Sequence, residues 1–227
     1  MVILANKNIP KQALQRLSAF GDLILIQTKG ITYPAIAGHP DIFFCQVDDV
    51  LVMARNAPKA FKIQLNKRNL HWSEGFEDVG NKYPETARYN CVVTNRFLIG
   101  NIDYIDKKIL EVARNKEIIN VNQGYTRCNL LTLAGSRFIT SDKGIAGVLQ
   151  QKGLEVLYVN PKGIQLPGFD HGFFGGCCGL LGDKVFFIGN LKHFTEGDVV
   201  RSFLAGYEIV ELYDGPLFDG GGLMLFI

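Results

Sequence analysis

A recurring unit restricts the fold of this chain more than any single residue does, because each copy must make the same small arrangement of strands and helix. The plainest copy spans residues 124–160. It holds an apolar run, a Gly-Ser turn, a second apolar run, a helix-like segment and a third strand, LEVLYV. Two strands across a short turn form a hairpin. The next copy keeps the order: CCGLL, the turn GDK, VFFIGN, the helical FTEGDVVRSFLAG with Thr195 as its candidate N-cap, and the strand YEIVELY. Upstream, YNCVV, TNR, FLIGN, DKKILEVARN and EIINVN repeat it. HPDIFF, VDD, VLVMA and APKAFKIQLNKRN repeat it again, with a weaker third strand within LHWSEGFEDV. The fifth copy is divided between DGGGLMLFI near one end and PKQALQRLSAFG with DLILIQT near the other.

The residue before each first apolar run sets a register: Asp41, Asn90, Asn129, Cys178 and Gly222, roughly 40–50 residues apart. Those runs alternate little, which predicts burial on both faces. No Pro/Ser-rich linker divides the 227 residues. The expectation is one α+β domain over residues 1–227. It is a five-bladed α/β propeller of strand–strand–helix–strand units around a pseudo-fivefold axis, with one unit closed by the two termini. The register positions would then line a central polar pocket for a small-molecule ligand.

Composition narrows the function classes. Lys plus Arg number 24 and Asp plus Glu 22, so no excess of positive charge marks a nucleic-acid partner. The densest basic run, KAFKIQLNKR, has the spacing of a solvated helix face. No apolar stretch approaches a membrane span and no signal peptide is evident, which predicts a cytoplasmic protein with reduced thiols at its five cysteines. C-x-x-C is absent and no histidine falls into metal-ligand spacing with a cysteine, so neither a metal nor a cofactor is expected. GFFGG is followed by a strand and lacks Gly-Lys-Ser/Thr, so it is not a phosphate loop.

With the five units in place, HPDIFFCQVDDVLVMA resembles the first blade, and DGGGLMLFI the glycine-rich opening of the last blade, of the pentein superfamily of guanidino-group-modifying enzymes. That superfamily includes arginine and agmatine deiminases, dimethylarginine hydrolases and amidinotransferases. The chain is most similar to an uncharacterised bacterial branch of it. The resemblance implies the fold and a hydrolase or transferase acting on C–N bonds of guanidines or amidines. It also implies a nucleophilic cysteine just after the terminal glycines and a histidine opening the first strand of the fourth unit. Leu223 to Ile227 contain no nucleophile, and the histidine position falls at Phe173 or Phe174, with His171 too early. The alternative is a non-catalytic pentein that binds a metabolite or a protein.

Attack on a guanidinium carbon needs a thiolate, carboxylates that hold the planar cation, and a proton donor for the departing amine. Asp41, at the start of a buried run, is the candidate carboxylate; alternatively it caps its own turn. Cys178, at the register position of the fourth unit, is the candidate nucleophile, with Cys177 pointing away; alternatively both are small buried hydrophobes. Cys128 directly precedes the register position Asn129, and Cys45 and Cys91 read as core. His39, Asn90, Asn129, Asp219, Gly221 and Gly222 are candidate substrate-binding residues, with strand or turn capping as the structural alternative. Asp142 and Asn190 read as helix caps or turn residues.

Overall fold

A computed structural model describes residues 1–227. Its strands and helices follow the repeat. The chain opens with strand β1 (Val2–Asn6), helix α1 (Lys11–Ser18) and strand β2 (Asp22–Ile26). The first complete unit is α2 (Pro40–Phe43), β3 (Phe44–Val47), β4 (Val50–Met53), α3 (Lys59–Lys67) and β5 (Trp72–Glu74). The second is β6 (Val92–Val93), β7 (Phe97–Gly100), α4 (Lys107–Val112) and β8 (Glu117–Asn120). The third is α5 (Thr126–Asn129), β9 (Leu130–Leu133), β10 (Arg137–Thr140), α6 (Lys143–Gln151) and β11 (Glu155–Tyr158). The fourth is β12 (Cys178–Leu181), β13 (Lys184–Phe187), α7 (Gly197–Phe203) and β14 (Glu208–Glu211), and β15 (Met224–Phe226) ends the chain.

These strands form five three-stranded sheets, one per unit. In each, the first strand pairs antiparallel with the second, and the second pairs parallel with the third across a helix. The parallel pairing requires the crossover helix, since a tight turn can only reverse direction. The fifth sheet is ordered β15-β1-β2, so the two ends of the chain share it, with Val2 opposite Phe226 and Leu4 opposite Met224. Strand β1 adds to the helix and strand read from the N-terminal sequence. Its short apolar run has no period that separates strand from buried helix until β15 is available to pair with it.

Local chemistry fixes the turns and caps. The third hairpin reverses at Gly135 and Ser136, with φ of 71° and 60°, the paired positive values of a type I′ turn. Asp142 caps α6 by accepting from Ile145 N at 2.8 Å, and Asn190 accepts from Lys192 N at 2.9 Å. Thr195 is not the cap of α7; that helix begins at Gly197 after Glu196, with no side-chain cap bond. Asp106 is buried and caps α4 while accepting from Glu77 N at 2.7 Å and from the Tyr89 hydroxyl at 2.9 Å. A buried carboxylate so fully bonded fixes the long segment between β5 and β6.

Packing joins successive units. Val92 and Phe97 of the second meet Leu130 and Phe138 of the third, and Leu131 and Ile139 of the third meet Val185 and Phe187 of the fourth. Phe186 of the fourth meets Ile3, Leu17 and Leu225 of the shared sheet, and Leu4, Ile24 and Met224 of that sheet meet Phe44 and Leu51 of the first unit. The first strands lie side by side at β3 and β6, β9 and β12, and β12 and β15. No helix is long and apolar enough to cross a membrane.

Candidate functional site

The first strands of several units are preceded by one turn of helix, and these turns hold the polar side chains. In α2, Pro40 occupies the first helical position, where its fixed φ suits the turn and its missing N–H is no loss. This places Asp41 inside the molecule with His39 just before it, both buried. The expected strand HPDIFF thus begins only at Phe44. Its equivalent in the third unit, α5, carries Arg127, Cys128 and Asn129. In the fourth unit a 3-10 turn covers Gly175–Cys177.

Asn90 ties these turns together. Its Nδ2 donates to the Asp41 carbonyl and to Cys128 Sγ, both at 3.2 Å, and its Oδ1 accepts from Cys128 N at 3.1 Å. The Cys128 thiol donates to Asp41 Oδ2 at 2.9 Å. Asp219 closes the far side. It accepts from Phe173 N at 2.8 Å and Gly221 N at 3.0 Å, and its Oδ1 stands 3.9 Å from His39 Nδ1. The segment that carries it is aligned by Gln165, whose N–H donates to Leu217 and whose carbonyl accepts from Asp219 N, each at 2.8 Å.

The glycines here answer to crowding. A Cβ on Gly176 would lie 1.9 Å from Asp219 Oδ1, and one on Gly221, at φ +77°, would lie 2.3 Å from His39 Cβ. Gly222 faces the Arg127 guanidinium, which donates to the carbonyl of Gly175 at 2.9 Å and to those of Cys178 and Leu223 at 3.4 Å. Arg127 also lines a cavity of about 260 Å³ together with Cys45, Cys91 and Leu223. None of His39, Asp41 and Cys128 lines that cavity.

Burial dominates the electrostatics. It pushes the Asp41 carboxyl up to about 6, against the charges of His39 and Arg127 and the Cys128 hydrogen bond. It raises Asp219 as well, against His39 and two backbone N–H groups. Burial, reinforced by the charge of Asp41, raises the Cys128 thiol well above its ordinary range. The phenols of Tyr33 and Tyr125, 3.3 Å apart, stand near enough to Cys128 for its charge to raise both, after burial. Tyr125 also bonds Thr86, and Tyr33 packs on the exposed Phe169.

The sequence-based candidates therefore separate. His39, Asp41, Asn90, Asp219 and Gly221 come together. Cys178 does not face Asp41: its thiol points at the carbonyls of Phe174 and Gly175, packs in the apolar cluster with Phe174 and Phe187, and is pushed up to about 12 by burial. The reason is register. The carbonyls of Phe43, Asn129 and Cys177 accept equivalent bonds from Ala54, Ser141 and Ile188. Cys178 therefore corresponds to Phe44 and Leu130, the first residues of buried strands, and Cys128 lies one residue before Asn129. The Asn129 side chain turns to Tyr125 O and Ser141 Oγ, at 2.9 and 2.8 Å. His171 stays half-exposed, with Nδ1 on its neighbour's carbonyl. Cys128 was legible only as the neighbour of a register residue, and Arg127, Tyr33 and Tyr125 gave no sequence signal.

Solved structures similar to this fold include guanidino-group-modifying enzymes. An amidinotransferase of saxitoxin biosynthesis from Microseira wollei is similar at a TM-score of 0.57 and 10% identity, over 92% of this chain and 87% of that one. Dimethylarginine dimethylaminohydrolase from Pseudomonas aeruginosa, in complex with citrulline, is similar at 0.53 and 8%, over 92% and 91%. The N-terminal domain of a cyanobacterial arginine dihydrolase is similar at 0.55 and 10%, over 92% and 89%. The expected likeness to the pentein superfamily is borne out, as a likeness of fold. No curated protein sequence matches the chain. Residues 4–224 match a family of unknown function (DUF6873), and the chain belongs to that family.

Proposed function

We propose that this protein is a hydrolase or transferase acting on a small guanidine- or amidine-bearing metabolite, with Cys128 as the thiol. In this reading the five sheets close into a five-bladed propeller, as the packing between successive units supports. The observation that carries the reading is the contact between Cys128 Sγ and Asp41 Oδ2, 2.9 Å long, beside two buried groups with unpartnered atoms: Asp41 Oδ1 and both ring nitrogens of His39. A planar cation would satisfy the carboxylate through charge-assisted hydrogen bonds. Asp219, the other buried carboxylate of the site, stands across His39.

Each residue has a task in the reaction. Asp41 takes the thiol proton, which a carboxyl near 6 does well at neutral pH. The charge of the bound cation favours the thiolate that burial opposes. Sγ bonds to the guanidine carbon, and the C–N bond breaks as the departing nitrogen takes a proton from His39. Water then adds to the carbon and gives a proton to His39, and the C–S bond breaks as Asp41 returns its proton to the sulfur, which restores the thiol and releases a urea-type product. If an amine adds instead, the product is a new guanidine.

The second reading is a ligand-binding module without turnover. It is favoured by the strand Met224–Phe226, which follows the terminal glycines with no nucleophile. The test is an assay for ureido products and released amine from arginine, agmatine and related amidines. Turnover by the parent that falls at least about a thousandfold in Cys128→Ser and persists in Cys178→Ser supports the enzyme. Binding detected by thermal shift, without product from any amidine, supports the module. Turnover that survives in Cys128→Ser removes Cys128 from the reaction.

A further inference from the structure

His39, Asp41 and Cys128 bring together an imidazole, a carboxylate and a thiol, one ligand atom of each within 4.8 Å of the others. All three residues are buried. Neither His39 nitrogen has a hydrogen-bond partner, and neither has Asp41 Oδ1. A neutral imidazole always presents one donor and one acceptor, so leaving both unmet inside a protein is costly and asks for an occupant. A metal ion on one nitrogen, with the other turned to a carboxylate, accounts for both.

We propose that His39, Asp41 and Cys128 bind one borderline divalent cation of the zinc class, with a fourth coordination position left open. Bonds of about 2.0–2.3 Å in a tetrahedron set ligand atoms about 3.4–3.6 Å apart, so displacements of about 1 Å complete the site. The thiolate excludes magnesium and calcium, which take oxygen ligands. Supporting contacts are already present. His39 Nδ1 faces Asp219 Oδ1 at 3.9 Å, so a shift of about 1 Å would put the carboxylate on that nitrogen and leave Nε2 for the metal. Asn90 Nδ2 donates to Cys128 Sγ at 3.2 Å and steadies the sulfur. Residues 39, 41 and 128 follow no linear ligand spacing, because two different units supply them. Cys128 cannot hold the ion and attack a carbon at once, so zinc opposes the thiol chemistry proposed above, and the site stands whether or not that chemistry occurs.

Metal-stripped full-length protein is titrated with Zn²⁺ against a chromophoric chelator and, separately, with Co²⁺. One Zn²⁺ per chain is expected, with a near-ultraviolet thiolate-to-cobalt band in the parent and in Cys178→Ser. Cys128→Ser should lose that band, Mg²⁺ should not compete, and Asp219→Asn should weaken Zn²⁺ binding about 10–100-fold. Co²⁺ bound by the parent without a thiolate band overturns the site, whatever the variants do. So does the absence of stoichiometric binding, or Zn²⁺ affinity unchanged in Cys128→Ser. Amidine turnover is assayed on the stripped protein, so loss of either proposal leaves the other readable.

Discussion

Asp41 illustrates how one buried side chain sets a measurable property. Its carboxyl is pushed from an ordinary 3.8 up to about 6 in the fold. The folded state therefore holds the proton more tightly than the unfolded chain does. The stabilising contribution is complete below about pH 4 and is lost as pH rises through about 6, a loss of about 3 kcal/mol. Urea unfolding of metal-free protein across this range should show Asp41→Asn gaining stability relative to the parent as pH rises. Parallel curves for the two proteins would rule out the raised value. At this scale the sequence was half legible. Asp41, His39, Asn90 and Asp219 are readable because polar residues at the mouths of buried runs need partners. The sequence register expects Cys178 at the pocket; in the fold it is the first residue of a buried strand, and Cys128, two positions earlier in the structural register, is the thiol that meets Asp41.

The decisive elements are the single helical turns ahead of the first strands. They are only three or four residues long, too short for a helical period to separate them from strand. Their glycines divide by what surrounds them. Gly176→Ala drives a methyl into Asp219 Oδ1, so we expect a loss of about 1–3 kcal/mol. Gly147→Ala, inside α6 with nothing within 4 Å of the added carbon, should raise stability by about 0.5–1 kcal/mol. Calorimetry of the pair checks the contrast; similar shifts of one sign would mean that the packing around Gly176 relaxes freely. The order of hairpin, crossover helix and third strand follows the repeat in the sequence, since each is local in the chain, while the starts of β3 and α7 differ from it.

At the scale of the molecule, the pairing of β1 with β15 is the contact that brings the two ends together. Leu223 and Leu225 pack there with Ile3, Leu17 and Phe186, so the shared sheet also buttresses the fourth unit. A chain ended at Gly222 should bind a hydrophobic dye and lose its single cooperative unfolding transition, because β1 is left with an open edge and an uncovered apolar face. Retention of parental stability would show that β15 is dispensable. The divided unit was visible in the sequence as a repeat missing its partner at each end, whereas the cluster of His39, Asp41 and Cys128 exists only in the folded chain. The same pairing governs how the protein comes into being on the ribosome. Strand β1 is made about 220 residues before β15, so at about 5–20 residues per second β1 waits on the order of 10–45 s for its partner. During that interval the nascent chain carries a sticky strand that only β15, or a chaperone, can shield.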